Sequence, residues 1–203
     1  MRTIGLTGPY CSGKNEYAKV FVELGCPVID VDALGHEVLD QASAQVIARF
    51  GADIVAADGS IDRKRLGAVV FGNSSLADLE AILHPLMKQK CLQEIEKFRS
   101  QGACAVVLNA ALLHRMRLDV LCDVVCFVHA CTLVRYLRSR RRDGTTLCSF
   151  IRRMQSQKDI KPALVDGNPD EYVMSNGGSL GIIHRQVRAL CATIGVCRDG
   201  SAE

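Results

Sequence analysis

Gly8-Pro9-Tyr10-Cys11-Ser12-Gly13-Lys14-Asn15 fits the spacing G-x-x-x-x-G-K at every fixed position and departs at the last, where serine or threonine is usual. Glycines at both ends let successive backbone N–H groups turn inward around an anion. A helix starting near Lys14 adds its positive end, and the lysine ammonium reaches the outer phosphates. Gly8, Ser12, Gly13 and Lys14 therefore read as a cradle for a nucleoside triphosphate. Asn15 stands where a hydroxyl normally binds magnesium, and its amide oxygen can serve as a hard ligand from a bulkier, less flexible group. Cys11 lies inside the loop, where inward N–H groups and Lys14 favour its thiolate, so it is expected to react readily unless nucleotide covers it.

Asp30-Val31-Asp32 ends a short apolar run, and in a doubly wound sheet that end sits at the carboxyl edge beside the phosphate loop. One of these carboxylates could receive a hydroxyl proton, whereas Asp32 serves equally well as a helix cap. A second concentration of charge holds Arg135, Arg138, Arg140, Arg141, Arg142, Arg152, Arg153, Lys158 and Lys161. Arginines on a closing lid would neutralise phosphate charge, while Arg140 and Arg141 read equally as a solvated helix face. An RNA-binding surface is disfavoured, because no aromatics interleave with the cluster and the net charge is only +3.

These groups need a frame. Thr3–Thr7 is an apolar run ending in the glycine loop, and Tyr17, Val20, Phe21 and Leu24 recur at helical spacing after Lys14. Gly25 and Pro27 stop that helix, and Val28-Ile29 supplies a second strand. Asp32 can cap a helix through Leu34 and Val38, Ser43 another through Phe50, ended by Gly51, and Asp58-Gly59 is a turn. From Asp62 the pattern is helical, with breaks expected near Gly72-Asn73-Ser74-Ser75 and at His84-Pro85. Ala103–Leu108 and Val124–Val128 read as buried parallel strands, with a fifth at Tyr172–Met174. Thr132 can cap a helix broken by Asp143-Gly144, Leu147–Gln157 forms the next, and Ser179 begins a last one ending near Cys197. This alternation predicts an α/β fold: an open, parallel, five-stranded sheet with helices on both faces.

A chain of 203 residues, 48% hydrophobic, suits one domain with a modest inserted lobe. Its ten cysteines include no C-x-x-C pair and several lie in apolar runs, so most read as reduced core residues rather than a disulfide framework or zinc site. No signal-peptide core or transmembrane run is visible, which predicts a cytoplasmic protein without a membrane partner, in which the sequon at Asn73 stays unmodified.

Ile4–Gly8, Ser12–Lys14, Leu24-Gly25-Cys26-Pro27-Val28-Ile29-Asp30-Val31-Asp32-Ala33, Phe50-Gly51-Ala52 and Leu83-His84-Pro85-Leu86 together resemble the dephospho-coenzyme A kinase family. The likeness continues in order at Leu112-Leu113, Arg138, Arg142-Asp143, Arg153, Gln157 and Asn176 to Leu180, and so covers nearly the whole chain. The resemblance implies a nucleoside-monophosphate-kinase-like P-loop fold and transfer of the ATP γ-phosphoryl group to the ribose 3′-hydroxyl of dephospho-coenzyme A, with Mg2+. It implies nucleotide contacts from Thr7, Gly8, Cys11, Ser12, Gly13, Lys14, Asn15, Glu16, Arg142, Arg153 and Asn176, and Asn15 as metal ligand. Asp32 matches the proposed base, Lys14, Arg138 and Arg142 complete the catalytic set, and Asp32 and His84 face the acceptor, although a satisfied structural histidine is the more ordinary use of His84. The single domain over 1–200 would comprise a nucleotide core (about 1–60 and 103–135, with 172–197), a helical acceptor lobe (about 61–102) and a lid (about 136–165), in a monomer or small homo-oligomer.

Several positions depart from the family's pattern. Pro9-Tyr10 replaces Gly-Ile, Asn15-Glu16 a Ser-Thr pair, and Ser175 an aspartate. Asn109 to Arg115 stands where Asp-x-Pro-Leu-Leu-Phe-Glu is typical, so Asn109 and Arg115 remove two acids. These departures keep two other readings open: a P-loop kinase for a nucleoside or small metabolite, and a nucleotide-binding descendant that has lost turnover.

Overall fold

The computed structural model describes residues 1–72, 75–157, 160, 170–177 and 179–196. Asn73 of the sequon, Lys158, the whole of 161–169 with Lys161, Gly178 and Cys197 lie outside the described residues. In chain order the elements are β1 (Arg2–Thr7), α1 (Lys14–Glu23), β2 (Val28–Asp30), α2 (Val31–Gln41), α3 (Ser43–Phe50), α4 (Arg63–Gly72), α5 (Leu76–Ser100), β3 (Ala105–Asn109), β4 (Val124–His129), α6 (Thr132–Asp143), α7 (Leu147–Ser156), β5 (Asp170–Ser175) and α8 (Leu180–Thr193).

The five strands form one sheet in the order β2-β3-β1-β4-β5, and every pairing is parallel. Side chains alternate between faces along a strand. Ile4, Leu6, Val107, Cys126 and Val128 meet Tyr17, Val20 and Phe21 of α1 and Ile183, Val187 and Leu190 of α8 in one core. The alternate residues Val106, Leu108, Val125 and Phe127 point the other way and are buried too, so both faces of the sheet are covered. Continuous apolar strands in the sequence are the direct consequence of this double burial.

The chain divides into two compact units, Met1–Asp30 with Glu94–Glu203, and Val31–Gln93. The first holds the sheet. The second has its own core of Leu39, Val46, Ile54, Ile61, Leu66 and Val70. Within it Val55 and Ile61 bridge antiparallel across the Asp58-Gly59 turn, where Asp58 Oδ1 accepts from Ser60 N at 3.0 Å. The helical lobe expected over about 61–102 overlaps this unit, which begins thirty residues earlier and ends at Gln93.

Four sequence expectations are corrected. The helix α5 runs unbroken through His84-Pro85; proline removes the N–H that would bond the Ala81 carbonyl, and Ala81 is exposed, so water can satisfy that oxygen. Asp32 does not cap α2 but sits in its first turn, because β2 passes into α2 without a connecting residue. Ser43 and Thr132 are first helical residues behind Ala42 and Cys131, and neither preceding residue caps with its side chain. Among the described cysteines, all free, only Cys26, Cys91, Cys126 and Cys191 are buried; Cys104 is exposed because its strand starts one residue later.

Candidate active site

β1 carries the chain to the carboxyl edge of the sheet, and the loop Gly8–Gly13 turns it into α1. Two glycines are obligatory here. A Cβ on Gly8 would collide with the Val128 carbonyl oxygen, and Gly13 holds φ 92° with the Asn176 amide against its Cα. Cys11 adopts φ 59°, uncommon for a non-glycine residue, and Ser12 N closes the turn onto Pro9 O at 2.9 Å. The buried Ser12 Oγ has no hydrogen-bond partner among the described residues.

Lys14 opens α1, and its Nζ donates to Asn109 Oδ1 at 2.9 Å. Asn109 is the last residue of β3 and is buried; its Nδ2 donates to Asn15 Oδ1 at 3.2 Å. Thr7 Oγ1 donates to Ala111 O at 3.2 Å, fastening the end of β1 to the segment after β3. A magnesium ion at Asn15 would meet an amide oxygen that already accepts one hydrogen bond but keeps a second lone pair, so the residue fits as a single neutral ligand. The other oxygens would come from phosphates and water, since no cluster of three acidic, cysteine or histidine ligands occurs among the described residues.

Arg138 braces the loop from behind. Its Nη1 donates to Ser12 O at 3.0 Å and its Nη2 to Asn176 Oδ1 at 3.1 Å, while Asn176 Nδ2 donates to the same Ser12 oxygen at 2.9 Å. Arg135 is buried and donates through Nε to Tyr10 O at 2.8 Å; desolvation lowers its pKa. Arg142 and Arg153 lie 5.4 and 4.8 Å from the Tyr10 ring centroid. Asp143 accepts from Arg142 Nε at 2.9 Å and from the Tyr10 hydroxyl, and these bonds hold its carboxyl down at about 2. Arg142 is raised in turn, first by its bond to Asp143.

The structure thus gathers Thr7, Gly8, Cys11, Ser12, Gly13, Lys14, Asn15, Arg138, Arg142, Arg153 and Asn176 around one loop. Glu16 points its carboxylate to Lys19 Nζ at 2.8 Å, along α1. Asp32 is exposed on the first turn of α2, and His84 is half-buried within α5. Sequence reasoning gave no site role to Tyr10 or Asn109, named Arg135 only within the basic cluster, and read Asp143 only as part of a helix break and of the family pattern. Tyr10 and Asn109 had signalled only by departing from a pattern. A cavity of about 290 Å³ opens beside Thr7, lined by Leu112, His114, Arg115 and Gln157 among others, with His114 Nδ1 3.2 Å from Asp119 Oδ2.

The family model described as dephospho-CoA kinase matches residues 2–180. A dephospho-CoA kinase of Anaeromyxobacter dehalogenans is 35% identical over 185 residues, covering 88% of this chain and 85% of its own. One of Geobacillus kaustophilus is 34% identical over 192 residues, covering 93% and 94%. A crystal structure of a Thermus thermophilus protein superposes with a TM-score of 0.79 at 25% identity, covering 95% of this chain and 97% of that one.

Proposed function

The chain belongs to the dephospho-CoA kinase family and catalyses the ATP-dependent phosphorylation of dephospho-CoA to CoA; from this premise we propose how its residues divide the work. Gly8 to Asn15 bind the triphosphate, with Lys14 on the outer phosphates. The observation that carries this reading is the placement of Lys14 Nζ, held at 2.9 Å from Asn109 at the open end of a glycine-hinged loop. Asn15 would hold Mg2+, which when bound would supply positive charge to offset that of the phosphates.

Asp32 accepts the proton of the ribose 3′-hydroxyl as the oxygen attacks the γ-phosphorus and ADP leaves. Arg138 keeps the loop in shape, Arg142 and Arg153 neutralise the migrating charge, and Asn176 fixes the loop's last turn. Such a transfer needs positioning and charge compensation more than covalent help. The unit Val31–Gln93, with His84, serves the acceptor, and α6 with α7 form the lid. Substrates that are both water-soluble nucleotides accord with a cytoplasmic monomer or small homo-oligomer without nucleic-acid or membrane partners; no described helix is long and apolar enough to cross a membrane.

ADP release with ATP and magnesium, compared across dephospho-CoA, nucleosides, adenylate and no acceptor, tests the assignment. Turnover with dephospho-CoA alone is expected; ATP binding without turnover on any acceptor would move the chain to a descendant that only binds nucleotide. Asp32→Asn should cut turnover by about a hundredfold or more and leave ATP affinity within about twofold. Near-normal turnover in that variant removes Asp32 from the mechanism.

A further inference from the structure

Every polar group of Tyr10 is spent on the α6–α7 segment. Its backbone N donates to Gln157 Oε1 at 2.8 Å, and its carbonyl accepts from Arg135 Nε at 2.8 Å. Its hydroxyl donates to Asp143, accepts from Arg153 Nη1 at 2.5 Å and lies 3.4 Å from Thr145 Oγ1. Its ring takes Arg142 and Arg153 on its π-system and lies 6.4 Å from Phe150, against which Tyr136 and Arg135 also pack. No other residue of the phosphate loop reaches the same helices through its ring, its hydroxyl and both backbone groups among the contacts described.

Arg142 and Arg153 are long, exposed side chains, and without Tyr10 their ordering would cost entropy each time a nucleotide arrives. Mutual repulsion would add to that cost, since both guanidiniums converge on one place. Asp143 offsets the repulsion, and the Tyr10 ring gives both cations a shared, pre-set surface at the loop itself. We propose that Tyr10 is a positioning residue, which holds Arg142 and Arg153 over the phosphate loop so that they meet the outermost phosphate of ATP already ordered. This rests on the assignment of those two arginines to phosphate contacts, and it gives the unusual loop residue a task that a small aliphatic side chain cannot perform.

Calorimetric titration with ATP and with ADP, without acceptor, tests the idea separately from the acceptor assignment. Tyr10→Ala should weaken ATP about fivefold and ADP by no more than about twofold. Tyr10→Phe keeps the ring and should recover about half of the logarithmic loss. In an Arg142→Ala/Arg153→Ala background, Tyr10→Ala should change ATP affinity less than about twofold, since its effect runs through the arginines. Equal losses for ATP and ADP, full additivity with the arginine changes, or tighter ATP binding overturns the proposal; so does unaltered ATP affinity in a folded Tyr10→Ala protein. Thermal unfolding checks folding, and if the alanine variant is unfolded, Tyr10→Phe must show the ATP-selective loss itself. Wild-type protein that binds ATP yet fails to phosphorylate dephospho-CoA defeats the acceptor assignment and leaves this measurement intact.

Discussion

Asn109 serves two neighbours at once: its oxygen accepts a hydrogen bond from the Lys14 ammonium and its nitrogen donates one to Asn15. A hydrogen bond to a charged group contributes about 1.5–3 kcal/mol, and here it sets where the cation sits. Asn109→Ala should therefore lower kcat/KM for ATP by about tenfold or more, with the fold intact because the change is confined to one strand end. Unchanged kcat/KM would mean that Lys14 finds its place without Asn109. None of this was readable from the chain. The glycine loop is legible because all its determinants lie within eight positions, whereas Asn109 pairs with a residue 94 positions away. From the sequence it appeared only as a lost acid; in three dimensions Asn15 and Asn109, two departures from the usual hydroxyl and carboxylate, face one another and form a matched amide pair. Asp32 and the clustered arginines drew attention earlier because their charge alone marks them.

Elements were legible wherever periodicity was uninterrupted, and their ends were not. α1, β3 and β4 fall within a residue or two of their apolar patterns, α8 starts where expected but ends at Thr193, four residues before Cys197, and α2 begins at Val31 because nothing separates it from β2. Thr146 caps α7 with its hydroxyl on Ser149 N at 3.3 Å, a local contact that the Asp143-Gly144 break overshadowed. The largest misreading is α5, in which Pro85 sits inside a helix of 25 residues. Proline costs a helix interior about 3 kcal/mol relative to alanine, and by stiffening the unfolded chain it returns about 0.4–1 kcal/mol. The helix penalty is the larger, so Pro85→Ala should stabilise the protein by about 2 kcal/mol, raising Tm by about 4–8 °C in a calorimetric scan. A Tm that falls would show that the ring's own packing outweighs the restored N–H.

At the scale of the whole chain, alternating strand and helix patterns sufficed for the parallel sheet, because a buried parallel strand has no polar face to confuse the pattern. Strand order and the unit boundary at Asp30 were out of reach, since they depend on which strands meet rather than on what each contains. Tyr17 shows how the first unit is tied together. Fully buried on α1, three residues beyond Lys14, it donates to Gln186 Oε1 of α8 at 2.7 Å and lies 3.3 Å from the Ser175 carbonyl at the end of β5. Desolvation pushes its phenol up to about 12 from 10.0. In the folded protein the proton is thus kept at a pH where the unfolded chain releases it. Its contribution is fully present below pH 10 and drains away as pH rises towards 12, a loss on the order of 2–3 kcal/mol. Denaturant unfolding across that window should show the midpoint falling with pH. Tyr17→Phe should be less stable at neutral pH, having lost the hydrogen bond to Gln186, and flatter above pH 10, having lost the group that titrates. An equally steep decline in the phenylalanine variant would assign the alkaline sensitivity to other groups and leave Tyr17 as a packing residue alone.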